Sequence, residues 1–135
     1  VLQECKTTIR EAKAQKLDEL RLYDSSEEVN QFSINKVFGW FNKSTRVGLA
    51  NSINIEREVG RSKTNIWLGD TLFILPIEKA IDMLCQLELY ALTCYNVTQG
   101  HINIINQLET KESIEFYDFR IGYPKKLSFT GYPTL

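Results

Sequence analysis

His101 is the only histidine in the chain, so a Ser-His-Asp or Cys-His arrangement would have to run through it. It lies on or beside the apolar stripe of a long helical stretch, with no Asp or Glu next to it, which suits a partly buried structural histidine better than a general base. One histidine also excludes multi-histidine metal sites. Asp70, Asp82 and Asp118 are scattered, and calcium-loop spacing is absent. Glu78, Glu88 and Glu109 could in principle supply an acid/base pair for sugar chemistry, but Glu78 and Glu88, on one helix, stand about 15 Å apart, too far for that work. Glycine-rich phosphate loops, the nucleophile elbow and the H-E-x-x-H zinc pattern are all missing. Cys5, Cys85 and Cys94 are odd in number and hold no C-x-x-C pair, so neither a disulfide framework nor a zinc site is suggested. The sequence therefore predicts no catalytic residue, no cofactor and no metal.

The aromatic residues are the other candidates. Trp40, Phe41 and Trp67, with Tyr90, Tyr95, Tyr117, Tyr123 and Tyr132, could form a stacking platform for sugars or bases. Base stacking also needs a basic groove, and a net charge of −1 offers no global field for nucleic acid or an anionic membrane. Core and cross-strand packing is the expected role for most of these rings. No apolar run is long enough to span a bilayer, so membrane insertion is not expected. The chain starts with Val1 and not Met, which suits the C-terminal piece of a longer protein.

The elements that would position these groups follow from periodicity. Residues 2–22 read as a helix with Leu2, Cys5, Ile9 and Ala12 on a short heptad-like seam. This seam is the expected partner-facing surface, either a helix docked on its own domain or the end of an oligomeric stalk. Residues 29–41 suit a β-hairpin turning near Asn35-Lys36. Asn42-Lys-Ser-Thr can cap a helix over 45–58, with Val47, Ala50 and Ile53 facing inward and Gly60 ending it. Asn65–Leu68 and Thr71–Leu75, joined by Gly69-Asp70, read as a second hairpin of type II′, apolar on both faces and so expected to be covered on two sides. Pro76 opens a long helix whose rhythm runs through Gly100 to Leu108. Thr110 caps a short helix, and residues 117–135 form an extended aromatic tail.

The expected fold is α+β: one long and one shorter helix packed with two small β-hairpins, preceded by an N-terminal helix. The expected division is residues 1–22, the helix and end of a stalk, and 23–135, a single domain.

The motifs Tyr23-Asp-Ser-Ser, Val29-Asn-x-Phe32 and Trp40-Phe-Asn-Lys-Ser-Thr-Arg46-x-Gly-Leu49 carry a resemblance. So do Asn65-Ile-Trp-Leu, Met83-Leu-x-x-Leu-Glu-Leu-Tyr-Ala, Thr98-x-x-His101-x-x-x-Ile105 and Tyr117-Asp-Phe-x-x-Gly-Tyr-Pro. Over residues 16–130 the chain resembles a bacteriophage and prophage domain family of unknown function, associated with tail-fibre and tail-fibre-assembly proteins, in a branch like that of Bacteroides phages. The resemblance implies a non-enzymatic structural or assembly module that binds other tail proteins or itself, in the virion tail or in the host cytoplasm during assembly. Its recurring Ser/Thr-Arg pair and late-helix histidine match Ser44, Thr45, Arg46 and His101, for which structural hydrogen bonding is expected, with Ser44 as a helix cap. The alternative is a module recognising host surface glycans through exposed aromatics. Exposure of Trp40 and Trp67 together on a concave face would favour it.

Overall fold

The computed structural model describes the backbone of residues 2–132 and the side chains of residues 8–132. The elements in chain order are α1 (Leu2–Asp24), α2 (Glu27–Asn30), β1 (Phe32–Ile34), β2 (Val37–Gly39), α3 (Lys43–Glu58), β3 (Lys63–Leu68), β4 (Thr71–Pro76), α4 (Ile77–Gln107), α5 (Lys111–Glu115) and β5 (Ser128–Phe129). This is the expected α+β class, with a long helix, an N-terminal helix and two small sheets. The chain forms two compact units: residues 1–29 with 93–124, and residues 30–92 with 125–135. The boundary expected after residue 22 is thus not where compactness divides the chain. The N-terminal helix shares a unit with the second half of α4, and the tail's last stretch belongs with the hairpins.

In the first unit, α1 packs on α5. Leu20 and Ile105 are fully buried beside Phe119, and Leu17, Tyr23, Ile102 and Tyr117 close around them. Two lysines of α1 serve the ends of other helices. Lys13 Nζ donates to the Asn106 carbonyl at 2.7 Å and Lys16 Nζ to the Glu115 carbonyl at 2.9 Å. Both carbonyls lie in last turns, where intrahelical partners run out and the helix dipole is negative. Thr110 caps α5 by accepting the Ser113 N–H at 3.1 Å.

In the second unit, β3 and β4 form a hairpin in the expected register, Trp67 opposite Leu72 and Ile66 opposite Phe73. Gly69 takes φ +58°, the left-handed conformation that the first position of a II′ turn demands. The ribbon is covered on one face only: Thr64, Ile66 and Leu68 are buried, whereas Trp67 is 60% exposed. The expectation of two-sided cover fails at the other face, where Asn65 and Trp67 are exposed and their cross-strand partners Ile74 and Leu72 are only half-buried. The core of this unit gathers Phe73, Leu75, Ile66 and Leu68 with Ile53 of α3 and Ala80, Met83, Leu84 and Leu87 of α4.

The first hairpin turns at Asn35 and Lys36, which take φ +49° and +67°. Two successive positive φ values define a type I′ turn, for which Asn-Gly is the favoured pair. The tail supplies what the dipeptide lacks. β5 adds to β1 in parallel, giving the sheet order β2-β1-β5, and the Asn35 amide pairs with both backbone groups of Tyr132. Gly39 of β2 is required by close approach: a Cβ there would sit 2.7 Å from Leu68 Cδ1.

Three further expectations are corrected. The N-cap of α3 is Asn42, whose side-chain oxygen accepts the Thr45 N–H at 2.8 Å, while Ser44 is an exposed residue inside the helix. Asn42 takes the cap because its backbone is still extended (φ −70°, ψ 170°), as a capping residue must be. Val47 is 47% exposed, so the inward stripe of α3 begins at Leu49 and Ala50. Pro76 ends β4 opposite Lys63, and the helix begins one residue later, with the Ile77 N–H donated to the Ser62 carbonyl at 3.0 Å.

Candidate functional site

His101 is 7% exposed, and both ring nitrogens are occupied. Nε2 lies 2.8 Å from the Ile121 carbonyl oxygen, which can only accept, so Nε2 carries the proton of the neutral ring. Nδ1, 2.6 Å from the Tyr117 hydroxyl, is then the acceptor and Tyr117 donates. One helical turn earlier a second chain of bonds runs alongside. Thr98 donates its hydroxyl proton to Asp24 Oδ1 at 2.7 Å, so the Tyr123 hydroxyl, also at 2.7 Å, donates to Thr98. The Tyr117 and Tyr123 rings pack on the imidazole with centroids at 5.6 and 5.8 Å. Burial pushes the Tyr117 and Tyr123 phenols above their ordinary range. At Tyr123 the nearby Asp24 charge adds to it. Among the described residues the imidazole's hydrogen-bond partners are Tyr117 and Ile121, neither a carboxylate nor a thiol. The network orients α4, the end of α1 and residues 117–123 within this unit, and it leaves no lone pair aimed at a substrate.

Arg46 sits on the first turn of α3, where its guanidinium reaches two other elements. Nε donates to Glu88 Oε1 of α4 at 2.5 Å, and Nη1 donates to the Phe41 carbonyl at 2.9 Å. The Arg46 side chain is largely buried and Glu88 is half exposed, so this pair fixes α3 against α4 more firmly than a surface ion pair would. Between the same helices runs an open groove of about 390 Å³. Ala50, Ile81, Leu84, Cys85 and Leu89 line it with apolar surface, and Asn54 and Glu88 give it polar edges. Leu89 is 64% exposed. Cys85 is a free, exposed thiol, and Cys94 is buried.

A second hollow, of about 260 Å³, lies against the β2-β1-β5 sheet. Phe32, Ser33, Phe38, Leu127 and Ser128 line it, and Lys36 and Lys126 are its two charges. Neither periodicity nor motif pointed to this hollow, because it exists only once β5 has joined β1. The nearest signal in the sequence was the Asn35-Lys36 turn.

Of the expected partner-facing residues, Ile9 and Ala12 are half-buried on α1, and the side chains of Leu2 and Cys5 lie outside the described residues. Trp40 is 40% exposed and Trp67 60% exposed, and neither lines the groove or the hollow. Among the described residues no group of three His, Cys, Asp or Glu side chains is placed to hold a metal ion, and no helix is long and apolar enough to cross a membrane. Comparison of the chain with protein-family models, with curated proteins and with solved structures gave no match.

Proposed function

We propose that the chain is a non-enzymatic module of a bacteriophage tail, structural or assembly-related, that works by binding protein. The single observation that carries the binding role is the α3–α4 groove, an apolar trough open to solvent and held to shape by the Arg46–Glu88 pair. A trough between two helices suits the apolar face of a partner helix, anchored by side chains at three- and four-residue steps. The phage setting is supported by the motif resemblance, and the non-enzymatic character by the full occupancy of the sole imidazole. The site of action is then the virion tail, or the host cytoplasm during assembly.

The test is mass spectrometry of purified virions and assembly intermediates of the phage or prophage that encodes the chain, with wild-type and Leu89→Lys versions. Stoichiometric presence that Leu89→Lys abolishes, while the variant still folds, is the expected result. Absence from both virions and intermediates rejects the proposal.

The exposure of Trp40 and Trp67 supports a second reading, a glycan-stacking module, in one respect only, because neither ring lines the groove or the hollow. Host surface glycans that quench tryptophan fluorescence in the wild type but not in Trp67→Ala would replace the first reading with this one.

A further inference from the structure

The hollow on the β2-β1-β5 sheet has a cationic rim and an apolar floor. Lys36 and Lys126 are both exposed, and among the described residues neither pairs with a carboxylate. Among the described residues no acidic side chain lines the hollow, and Phe38, 63% exposed, is part of its lining. Its ligand should therefore carry negative charge beside an apolar or aromatic body.

Lys36 also holds a costly position. At φ +67° a non-glycine residue is strained, and glycine is the residue this turn prefers. A side chain kept at such a place fits a role for its ammonium group outside the turn itself.

The chain displays a segment of that chemistry. Phe116, 80% exposed, is the most exposed of the large hydrophobic residues described. Exposed Glu115 and Asp118 flank it, with Glu112 one turn earlier. The charge of the two units is complementary in the same sense. Residues 30–92 with 125–135 carry nine Lys/Arg against six Asp/Glu, and residues 1–29 with 93–124 carry seven against eleven.

We propose that the hollow of one copy receives the Glu115–Asp118 segment of a second copy. Phe116 enters over Phe38 and Leu127, and Glu115 and Asp118 meet Lys36 and Lys126. Donor and acceptor are different residues of the chain, the Glu115–Asp118 segment in one unit and the hollow in the other, so the contact is heterologous. The inference rests on the reading of the chain as a protein-binding module, but it uses residues outside the α3–α4 groove. A monomeric chain that still enters virions through Leu89 would sink this inference and leave that reading standing.

Sedimentation velocity over a concentration series, with complementary variants, tests it. The wild type associates reversibly, and added salt weakens the association. Phe116→Ser disables the donor and the double variant Lys36→Gly, Lys126→Gln disables the acceptor. Each weakens self-association about tenfold or more. Lys36→Gly relaxes the turn, so loss of association in the double variant cannot be laid to a damaged fold. When the two disabled proteins are mixed, one intact donor meets one intact acceptor, and the mixture forms dimers that grow no further. A wild type that stays monomeric up to its solubility limit overturns the proposal. So does association that the variants leave unchanged, or a mixture that fails to recover dimers.

Discussion

The two units solve the same problem with different forces. The unit of residues 30–92 and 125–135 buries a broad apolar cluster, with Phe73, Leu75 and Met83 at 0% exposure, and its net charge is +3. The unit of residues 1–29 and 93–124 has a small apolar centre of Leu20, Ile105 and Phe119. It is completed by tyrosine hydroxyls, a histidine, Thr98 and Asp24, and its net charge is −4. Apolar burial is non-directional and tolerates conservative exchange, whereas a buried polar network tolerates none of its members being left without a partner. The first kind of unit can present grooves and hollows on its surface without risk to its centre. The second has its polar groups committed inward.

Of the two units, the one with the broad apolar core should show the larger loss. Phe73→Ala should cost about 4 kcal/mol in chemical denaturation, because it leaves a cavity where the ring was fully buried. A loss near 1 kcal/mol would mean the hairpin core collapses readily and is no jigsaw.

In the other unit, His101→Leu should cost about 3 kcal/mol although it adds apolar surface. It strands the Tyr117 hydroxyl and the Ile121 carbonyl. Stability equal to wild type would show that the network is dispensable and that packing alone holds this unit.

Gly39→Ala should cost about 1.5 kcal/mol through its clash with Leu68. A crystal structure of the variant would show Leu68 displaced.

The smallest effect is on pH dependence. The Tyr23, Tyr117 and Tyr123 phenols are all raised chiefly by burial, so the folded chain holds protons that the unfolded chain has released. Their contribution is complete below a pH of about 10 and is lost as pH rises through the folded values. Phenolate absorbance should therefore show the buried phenols ionising above the ordinary tyrosine range, together with unfolding, and Tyr117→Phe or Tyr123→Phe should shrink that late step. Simultaneous titration of all tyrosines would argue against the buried network.

Much of the architecture was legible in the sequence because it rests on local signals. The 3/4 rhythm from Ile77 through Ile105 outvoted Gly100, and α4 is one helix of 31 residues. Gly69-Asp70 set both the turn and the register of β3 and β4. The stripe of α4 passed through His101 and correctly marked it as buried, but its partners Tyr117 and Ile121 lie 16 and 20 residues on and leave no periodic trace. The exposed face of Trp67 and the exposed Val47 depend on what lies opposite, and spacing along the chain does not report that. The cap at Asn42 in place of Ser44 is a local matter: it is set by where the backbone leaves the extended conformation. The strand β5 is two residues long and pairs with β1 across some 95 residues, beyond the reach of any window along the chain.

The long helix α4 and the turn and register of the β3–β4 hairpin could be read from residue order alone, because each follows from neighbours within a few turns or one tight loop. Folding in three dimensions settled which apolar faces stay open, that the Tyr117 hydroxyl and the Ile121 carbonyl meet the two imidazole nitrogens, and that Lys36 and Lys126 share one hollow. Those outcomes depend on side chains far apart in the chain meeting at hydrogen-bond or van der Waals distance, and that proximity comes into being only when the units close.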